Sequence, residues 1–212
     1  MYETEGPNLF LELGRDPAVL DIVSAALGTD DIFLWAAQIF CKPPGTGRTV
    51  PWHQDGQYWP IEPLQALTAW VAVDSSTKSN GCLQVLPGSH GALYPHEQRP
   101  SVDAAIDFVI QEDVFTSGRL NESNAHFIEL QAGEMEVHHP NIVHRSARNT
   151  SQNRRAGVAL AYMPTECLFV RDKRAAGDEL GGLDLGYGTR PLFLVRGECR
   201  NGDNAFVVDA RP

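Results

Sequence analysis

Short apolar or alternating runs of four to nine residues recur along most of the chain. The runs are LWAAQIFC (34–41), ALTAWVAVD (66–74), CLQVLPG (82–88), FIEL (127–130), EMEVHH (134–139) and AGVALAYM (156–163). Clusters of turn-forming residues, such as PPGTG, STKSNG and PGSHG, separate them. Short strands with frequent turn signals are typical of antiparallel sandwiches and barrels, so we predict a mainly β fold.

Two segments show helical features instead. Residues 17–27 (PAVLDIVSAAL) carry apolar residues at helical spacing, with Asp16 as the expected N-cap and Gly28 closing the helix. Residues 102–114 (VDAAIDFVIQEDV) are predicted to form a second helix, inserted between strands. The fold is therefore expected to be a β structure with flanking helices.

The chain fits a single domain. No internal repeat or charged linker divides its 212 residues, so we expect one domain over residues 1–212, with a barrel core at about 34–165. The N-terminus lacks the basic-then-apolar pattern of a signal peptide, and no apolar run reaches the length of a membrane span. The four cysteines are scattered without C-x-x-C spacing. These features predict a cytoplasmic protein with reduced thiols.

The charge balance narrows the range of partners. The net charge is −10, with three lysines against fourteen arginines. An acidic protein repels nucleic acid and anionic membranes at long range, so neither is an expected partner. A neutral or cationic small-molecule substrate fits this background better.

The stretch PWHQDGQYWP (51–60) places His53 and Asp55 two residues apart among aromatic side chains. A His-x-Asp pair can arise by chance in a chain of this composition, and for the pair taken alone a solvated or hydrogen-bonded role is the favoured interpretation. On a strand, however, residues two apart point to the same face, so this pair could aim an imidazole and a carboxylate at one point. One further histidine would complete a facial iron triad of two histidines and a carboxylate.

His144 lies in a segment that also contains Ser146, two residues later, and Arg155, eleven residues later. Arg155 opens the apolar run AGVALAYM, from which its planar guanidinium could reach into a barrel and bind a carboxylate with two hydrogen bonds. It could equally be a surface arginine beside Arg154. Spacing alone leaves both interpretations open.

The combined pattern resembles the phytanoyl-CoA dioxygenase (PhyH) family of iron(II)- and 2-oxoglutarate-dependent oxygenases. The resemblance rests on H-x-D, a strand with a tryptophan, N-G-C-L-x-V-x-P-G-S-H, H-x-S and the arginine eleven residues after that histidine. It runs from about Gln38 to Met163. It implies a double-stranded β-helix, the jelly-roll architecture that cupins also have.

Carried over by position, the resemblance implies that His53, Asp55 and His144 are the iron(II) ligands. Family members that halogenate lack the carboxylate ligand, so the presence of Asp55 disfavours halogenation.

The resemblance also implies a cosubstrate pocket. Arg155 would bind the distal carboxylate of 2-oxoglutarate, with Ser146 beside it. Gln38 and Trp70 match positions that line this pocket in relatives.

The sequence motifs say less about which residues contact the substrate. Gln57, Tyr58, Trp59 and His139 are candidate substrate contacts, whereas Glu136 is expected to be solvated. The implied reaction uses dioxygen to attack a C–H bond of a small molecule, with hydroxylation or oxidative ring closure as the outcome. The aromatic residues, the acidic chain and a composition typical of high-GC bacteria favour a sugar- or aminoglycoside-like natural product made in a bacterial biosynthetic pathway.

Three other classes of function fit these residues less well. A cupin-like metal-dependent isomerase or binding protein would share the barrel but would not require Arg155 or Ser146. A non-catalytic module would be expected to have lost at least one of the proposed ligands. A hydrolase is disfavoured because the chain has no G-x-S-x-G motif.

Overall fold

A computed structural model describes residues 8–172 and 186–212. These residues form three α-helices: α1 (Leu9–Gly14), α2 (Pro17–Leu27) and α3 (Glu112–Thr116). The strands are β1 (Ile32–Lys42), β2 (Val50–His53), β3 (Ile61–Glu62), β4 (Leu67–Ala72), β5 (Leu83–Val85), β6 (His96–Gln98), β7 (Phe108–Ile110), β8 (His126–Ile128), β9 (Met135–His138), β10 (His144–Ser146), β11 (Arg155–Pro164), β12 (Leu168–Phe169), β13 (Leu192–Arg196) and β14 (Val207–Asp209).

Two sheets build the barrel. The larger has the strand order β14-β13-β1-β11-β4-β9, and the smaller has the order β2-β10-β5-β8. All neighbours in both sheets pair antiparallel except β13 and β14. Among the strands of these two sheets, β1, β2, β4 and β5 alternate between the larger and the smaller sheet, and so do β8, β9, β10 and β11, as in a jelly roll. The predicted mainly β, double-stranded β-helix with flanking helices is confirmed.

Helix α2 forms as its sequence predicts. The Asp16 side chain accepts a hydrogen bond from the backbone N–H of Ala18, and Gly28 ends the helix in the left-handed conformation (φ 73°). Its apolar stripe, which includes Val19 and Val23, is buried in one cluster with Leu160 of β11. This helix covers the outer face of the larger sheet.

The six predicted strand segments all overlap observed strands, namely β1, β4, β5, β8, β9 and β11. The helix predicted over residues 102–114 is wrong. Residues 108–110 (FVI) form β7, which pairs with β6, and only the short helix α3 follows. All three residues of β7 are buried, and a helix at this position would expose one of them. Two of the three are β-branched, which also favours a strand.

The single domain over residues 1–212, with its barrel core at about 34–165, stays a prediction. Residues 1–7 and 173–185 of that span lie outside the described residues. None of the helices in the described part of the chain is long and apolar enough to cross a membrane.

Replacing Tyr162 by phenylalanine is expected to lower the free energy of unfolding by about 1–2 kcal/mol. The Tyr162 hydroxyl is buried in β11 and donates to the Gly14 carbonyl at 2.9 Å, so its loss leaves a buried acceptor without a partner. Urea unfolding measures the change. Tyr94→Phe is the control, since that hydroxyl makes no hydrogen bond within residues 8–172 and 186–212. Equal losses for the two variants would contradict the assignment.

Candidate metal centre and anion pocket

Two histidines face each other across the smaller sheet. His53 on β2 is opposite His144 on β10, and their ring centroids are 4.1 Å apart. Each Nδ1 lies within hydrogen-bonding distance of a backbone carbonyl two residues earlier, Pro51 at 2.9 Å and Ile142 at 3.0 Å. A carbonyl only accepts, so Nδ1 of each ring is the donor and Nε2 is the ring nitrogen that faces the proposed metal position, with Nε2 of His53 3.5 Å from Asp55 Oδ1. Burial also lowers the pKa of His144 to about 3, which keeps that ring neutral.

Asp55 joins the two imidazoles through a turn rather than a strand. Strand β2 ends at His53, and Asp55 begins a 3-10 turn, so the expectation that a strand aligns the pair is wrong. The turn packs tightly, because a Cβ on Gly56 would lie 1.9 Å from Asn141 Oδ1. One potential ligand atom from each of His53, Asp55 and His144 lies within 4.8 Å of the others.

The Asp55 carboxylate is held by a tyrosine. Tyr58 donates its hydroxyl hydrogen to Asp55 Oδ1 at 2.6 Å. Burial would raise the pKa of Asp55, but the imidazoles of His53 and His144 together with this hydroxyl hold it below its usual range. Burial and the Asp55 charge raise the pKa of Tyr58 well above its usual value. The carboxylate is therefore ionised and oriented.

Gln54, between the two ligand candidates of the H-x-D motif, is fully buried and links three segments. Its Nε2 donates to the carbonyls of Ala92 (2.7 Å) and Asn141 (2.6 Å), and its Oε1 accepts from the N–H of Tyr94 (2.8 Å). The middle residue of the motif thus anchors the turn that carries the carboxylate.

His96 completes this anchor. Its Nε2 accepts from the Gln54 backbone N–H at 3.0 Å, its Nδ1 donates to the Tyr94 carbonyl at 2.8 Å, and its ring stacks on Phe108 at 4.7 Å. Burial lowers the pKa of His96 to about 4, so the ring is neutral, as the accepted hydrogen bond requires.

Ser89 is the residue of the PGSH motif that supports the site. Its buried hydroxyl donates to the Leu86 carbonyl at 2.7 Å and accepts from the Val143 N–H at 2.8 Å, immediately before His144. His90 of the same motif is exposed. A buried serine in a turn gave no sequence signal that distinguished it from its neighbours.

Arg155 lies inside the barrel, with 4% of its surface exposed. Its guanidinium stacks over the Trp70 ring at 4.3 Å, and burial lowers its pKa to about 10. Within residues 8–172 and 186–212 its one hydrogen bond is a long one from Nε to Ser76 Oγ, 3.4 Å, and no carboxylate pairs with it. Arg154, by contrast, is exposed and pairs with Asp74. Arg155 is therefore a residue of the barrel interior and not a surface arginine.

Gly157 makes room for this stack. A Cβ at Gly157 would lie 2.0 Å from the Trp70 indole, so only glycine lets the ring lie flat beneath Arg155. Gln38 on β1 is exposed and in register with Ala159, which is itself in register with Trp70. Gln38 and Trp70 therefore face the same side of the sheet. Ser146 is buried on β10.

Glu136 and His138 also lie inside the barrel, and sequence reasoning missed both. Their side chains are 13% and 10% exposed, and His138 Nδ1 donates to the Glu136 carboxylate at 2.9 Å. The expectation that Glu136 is solvated is wrong. Its register with Trp70 places it on the inner face. Burial opposes protonation of His138, but the Glu136 carboxylate raises its pKa above the usual value.

The substrate-side candidates are dispersed. Gln57 is half-buried in the turn after β2, and Tyr58 uses its hydroxyl on Asp55. Trp59 is buried in the core, edge-on to Trp35 at 4.8 Å. The contacts of these residues with a substrate stay predictions.

Of the two adjacent histidines in β9 and the turn that follows, His138 is the one beside the metal ligand candidates, with its ring 5.2 Å from that of His144. His139 is half-buried, accepts from the Asn141 N–H and lies 5.8 Å from the exposed ring of His90. A substrate contact by His139 also stays a prediction.

The chain is similar to known proteins in sequence. The family model described as Phytanoyl-CoA dioxygenase (PhyH) matches residues 3–157. A probable phytanoyl-CoA dioxygenase of Caenorhabditis elegans is 32% identical over 78% of this chain and 54% of its own length. L-proline trans-4-hydroxylase of Streptomyces griseoviridis is 28% identical over 71% of this chain and 61% of its own length. The chain spans about half the length of the curated phytanoyl-CoA dioxygenases it matches.

Solved structures are similar as well. The non-heme monooxygenase ThoJ, in its apo form, superposes with a TM-score of 0.71 at 27% identity, covering 98% of this chain and 70% of ThoJ. EvdO2 of Micromonospora carbonacea var. aurantiaca, complexed with 2-oxoglutarate, gives a TM-score of 0.61 at 26% identity, covering 77% and 66%.

The metal-free protein is expected to lose stability as the pH falls from about 6.5 to about 4. The pKa of His96 is about 4 in the folded state, whereas an unfolded histidine titrates near 6.5. In this window the unfolded chain binds the extra proton, so acid favours unfolding, by at most about 3 kcal/mol from this residue. Urea unfolding in chelator at several pH values measures the slope.

His96→Gln keeps a hydrogen-bond acceptor but does not titrate. Its unfolding free energy should therefore depend less steeply on pH, by about one proton in this window. Parallel pH curves for the variant and the wild type would show that His96 is not the acid-sensitive group.

Proposed function

The chain belongs to the phytanoyl-CoA dioxygenase family, and from this premise we propose that it is a non-haem oxygenase dependent on iron(II) and 2-oxoglutarate. The observation that carries the proposal is that one barrel interior contains both a cluster of metal-ligating side chains and a buried arginine without an anionic partner among the described residues. Either feature alone fits many proteins. Together they match the two requirements of this chemistry.

The donor set of His53, Asp55 and His144 suits iron(II). Two imidazoles and one carboxylate form a facial triad that leaves positions open for a cosubstrate and dioxygen. The backbone carbonyls orient both rings, and Tyr58 orients the carboxylate. These contacts preorganise the ligand atoms before the metal arrives.

The anion pocket suits the distal carboxylate of 2-oxoglutarate. A buried charge without a partner is costly, so the Arg155 guanidinium favours binding of an anion. Its planar fork matches a carboxylate, and the Ser146 hydroxyl, without a hydrogen bond in the described part of the chain, is a further donor. Trp70 and Gln38 would line the same pocket.

When bound, iron and 2-oxoglutarate supply the oxidation of a substrate C–H bond by dioxygen, with succinate and carbon dioxide as the cosubstrate products. The protein's part is to orient the metal ligands, to bind the distal carboxylate and to limit access of water around the reacting bond.

For the substrate we propose a small molecule, with a sugar- or aminoglycoside-like natural product as the leading class and hydroxylation or oxidative ring closure as the outcome. The names of the relatives give different substrates, a phytanoyl-CoA and L-proline among them. We therefore assign neither of these substrates to this chain. The acidic chain, with its net charge of −10, favours a neutral or cationic molecule. The similarity to ThoJ, a monooxygenase, supports oxygen insertion.

The test needs no substrate. Under nitrogen, iron(II) and then 2-oxoglutarate are added to the apoprotein while the visible spectrum is recorded. We expect a weak charge-transfer band that needs both additions and is absent in His53→Ala. In Arg155→Ala the band should need roughly a hundredfold more 2-oxoglutarate, since a charge-assisted double hydrogen bond is lost.

Arg154→Ala is the matched control, because its side chain is exposed and pairs with Asp74. It should titrate like the wild type. Iron binding without any band, at any concentration of 2-oxoglutarate, would instead favour the cupin-like metalloprotein.

Gly157→Ala tests the shape of the pocket. The added methyl group would displace the Trp70 indole from beneath Arg155, so the affinity for 2-oxoglutarate should fall about tenfold while iron(II) affinity is kept. Gly202→Ala is the control, because its added Cβ meets nothing within 4 Å. Unchanged 2-oxoglutarate affinity in Gly157→Ala would show that the stack is not part of the pocket.

A further inference from the structure

Lys42 is a second buried cation at the Arg155 end of the barrel. It is the last residue of β1, directly opposite Arg155 in register, and 5% of its surface is exposed. Its Nζ donates to the carbonyls of Arg48, Ser146 (3.3 Å) and Ala147 (2.8 Å). An ammonium has three donors, so all three are used on neutral oxygens. No carboxylate of the described residues pairs with it.

Tight packing closes this cage of carbonyls around the lysine stem. A Cβ on Gly47 would lie 2.7 Å from Lys42 Cβ, and one on Gly81 would lie 3.1 Å from Lys42 Cδ and 2.4 Å from the Ala147 carbonyl. Asn149 Nδ2 donates to the Lys42 carbonyl at 2.9 Å. The ammonium therefore has little freedom to turn elsewhere.

The two cations destabilise each other in the absence of an anion. Burial lowers the pKa of Lys42 to about 8, and the charge of Arg155 contributes to the same shift. Glu136 is the carboxylate that acts on Arg155, but its hydrogen bonds go to His138. This end of the barrel therefore has an excess of positive charge that a bound anion would relieve.

We propose that Lys42 is a positioning residue that makes the pocket select a 2-oxo acid with a second carboxylate over one without. Its ammonium holds the backbone at Ser146, whose hydroxyl is the proposed donor beside Arg155, and adds a second positive charge at the Arg155 end of the barrel. The inference rests on the proposed function, because it concerns the same cosubstrate pocket.

The experiment compares two ligands on the manganese(II)-loaded protein by calorimetry. One is 2-oxoglutarate, and the other is 2-oxopentanoate, which has the same chain length but no distal carboxylate. In Lys42→Gln, which keeps donors but loses the charge, 2-oxoglutarate should bind roughly tenfold more weakly, the scale of one nearby unit charge in a partly buried pocket. The affinity for 2-oxopentanoate should not change.

Lys78→Gln is the matched control, because Lys78 is exposed outside the pocket, and it should behave like the wild type. Lys42→Arg keeps the charge and should keep the preference for 2-oxoglutarate within about threefold. If Lys42→Gln no longer binds manganese, the test rests on Lys42→Arg. Loss of the preference for 2-oxoglutarate over 2-oxopentanoate in Lys42→Arg would then overturn the proposal.

Equal weakening of both ligands in Lys42→Gln would show a scaffold role without selectivity and overturn the inference, as would an unchanged affinity for 2-oxoglutarate. Wild-type protein that binds manganese but not 2-oxoglutarate would instead contradict the proposed function. If Arg155→Ala binds 2-oxoglutarate weakly but Lys42→Gln keeps the wild-type preference for 2-oxoglutarate over 2-oxopentanoate, the role of Lys42 is overturned and the proposed function stands.

Discussion

The cost of burying charge without a partner is the constraint on which this barrel interior depends. Arg155 and Lys42 bring two positive charges to one end, and no carboxylate among the described residues pairs with either. Asp55 lies ionised and buried beside the imidazoles of His53 and His144, each of which is oriented by a hydrogen bond from Nδ1 to a backbone carbonyl. A folded protein keeps such groups only where the surrounding structure holds them in place or a ligand completes them.

The surrounding hydrogen bonds hold these groups in place. Gln54 and Ser89 are buried polar residues whose partners are backbone groups of separate segments, so each fixes the position of a proposed ligand without touching the metal position. Gly157 acts differently, by leaving the space that Trp70 fills under Arg155. Hydrogen bonds to the backbone thus hold the proposed metal ligands in place, whereas close packing at Gly157 shapes the stack of Trp70 and Arg155.

The sequence predicted the fold class well, because alternation and turn signals report burial directly. The prediction failed over residues 102–114, where the pairing of β7 with β6 overrides a weak helical pattern. The H-x-D spacing identified Asp55 as a ligand candidate on the assumption that a strand aligns it with His53. In the structure a 3-10 turn, not a strand, brings Asp55 to the histidines. Single-sequence patterns do not reveal such turns.

Other site residues depend on contacts that spacing does not encode. Lys42 and Glu136 look like ordinary surface charges in the sequence, and only register with Arg155 and Trp70 places them inside the barrel. Spacing left Arg155 open to two interpretations, a residue inside the barrel or a surface arginine beside Arg154, and only its burial decides between them.

The most direct test of the account is a crystal structure of the protein with manganese(II) and 2-oxoglutarate, using anomalous scattering to locate the metal. We expect one strong anomalous peak within coordination distance of His53, Asp55 and His144, with continuous ligand density from the metal to Arg155. A peak at His138 and Glu136 or at His90 and His139, or a ligand whose distal carboxylate does not reach Arg155, would contradict the account.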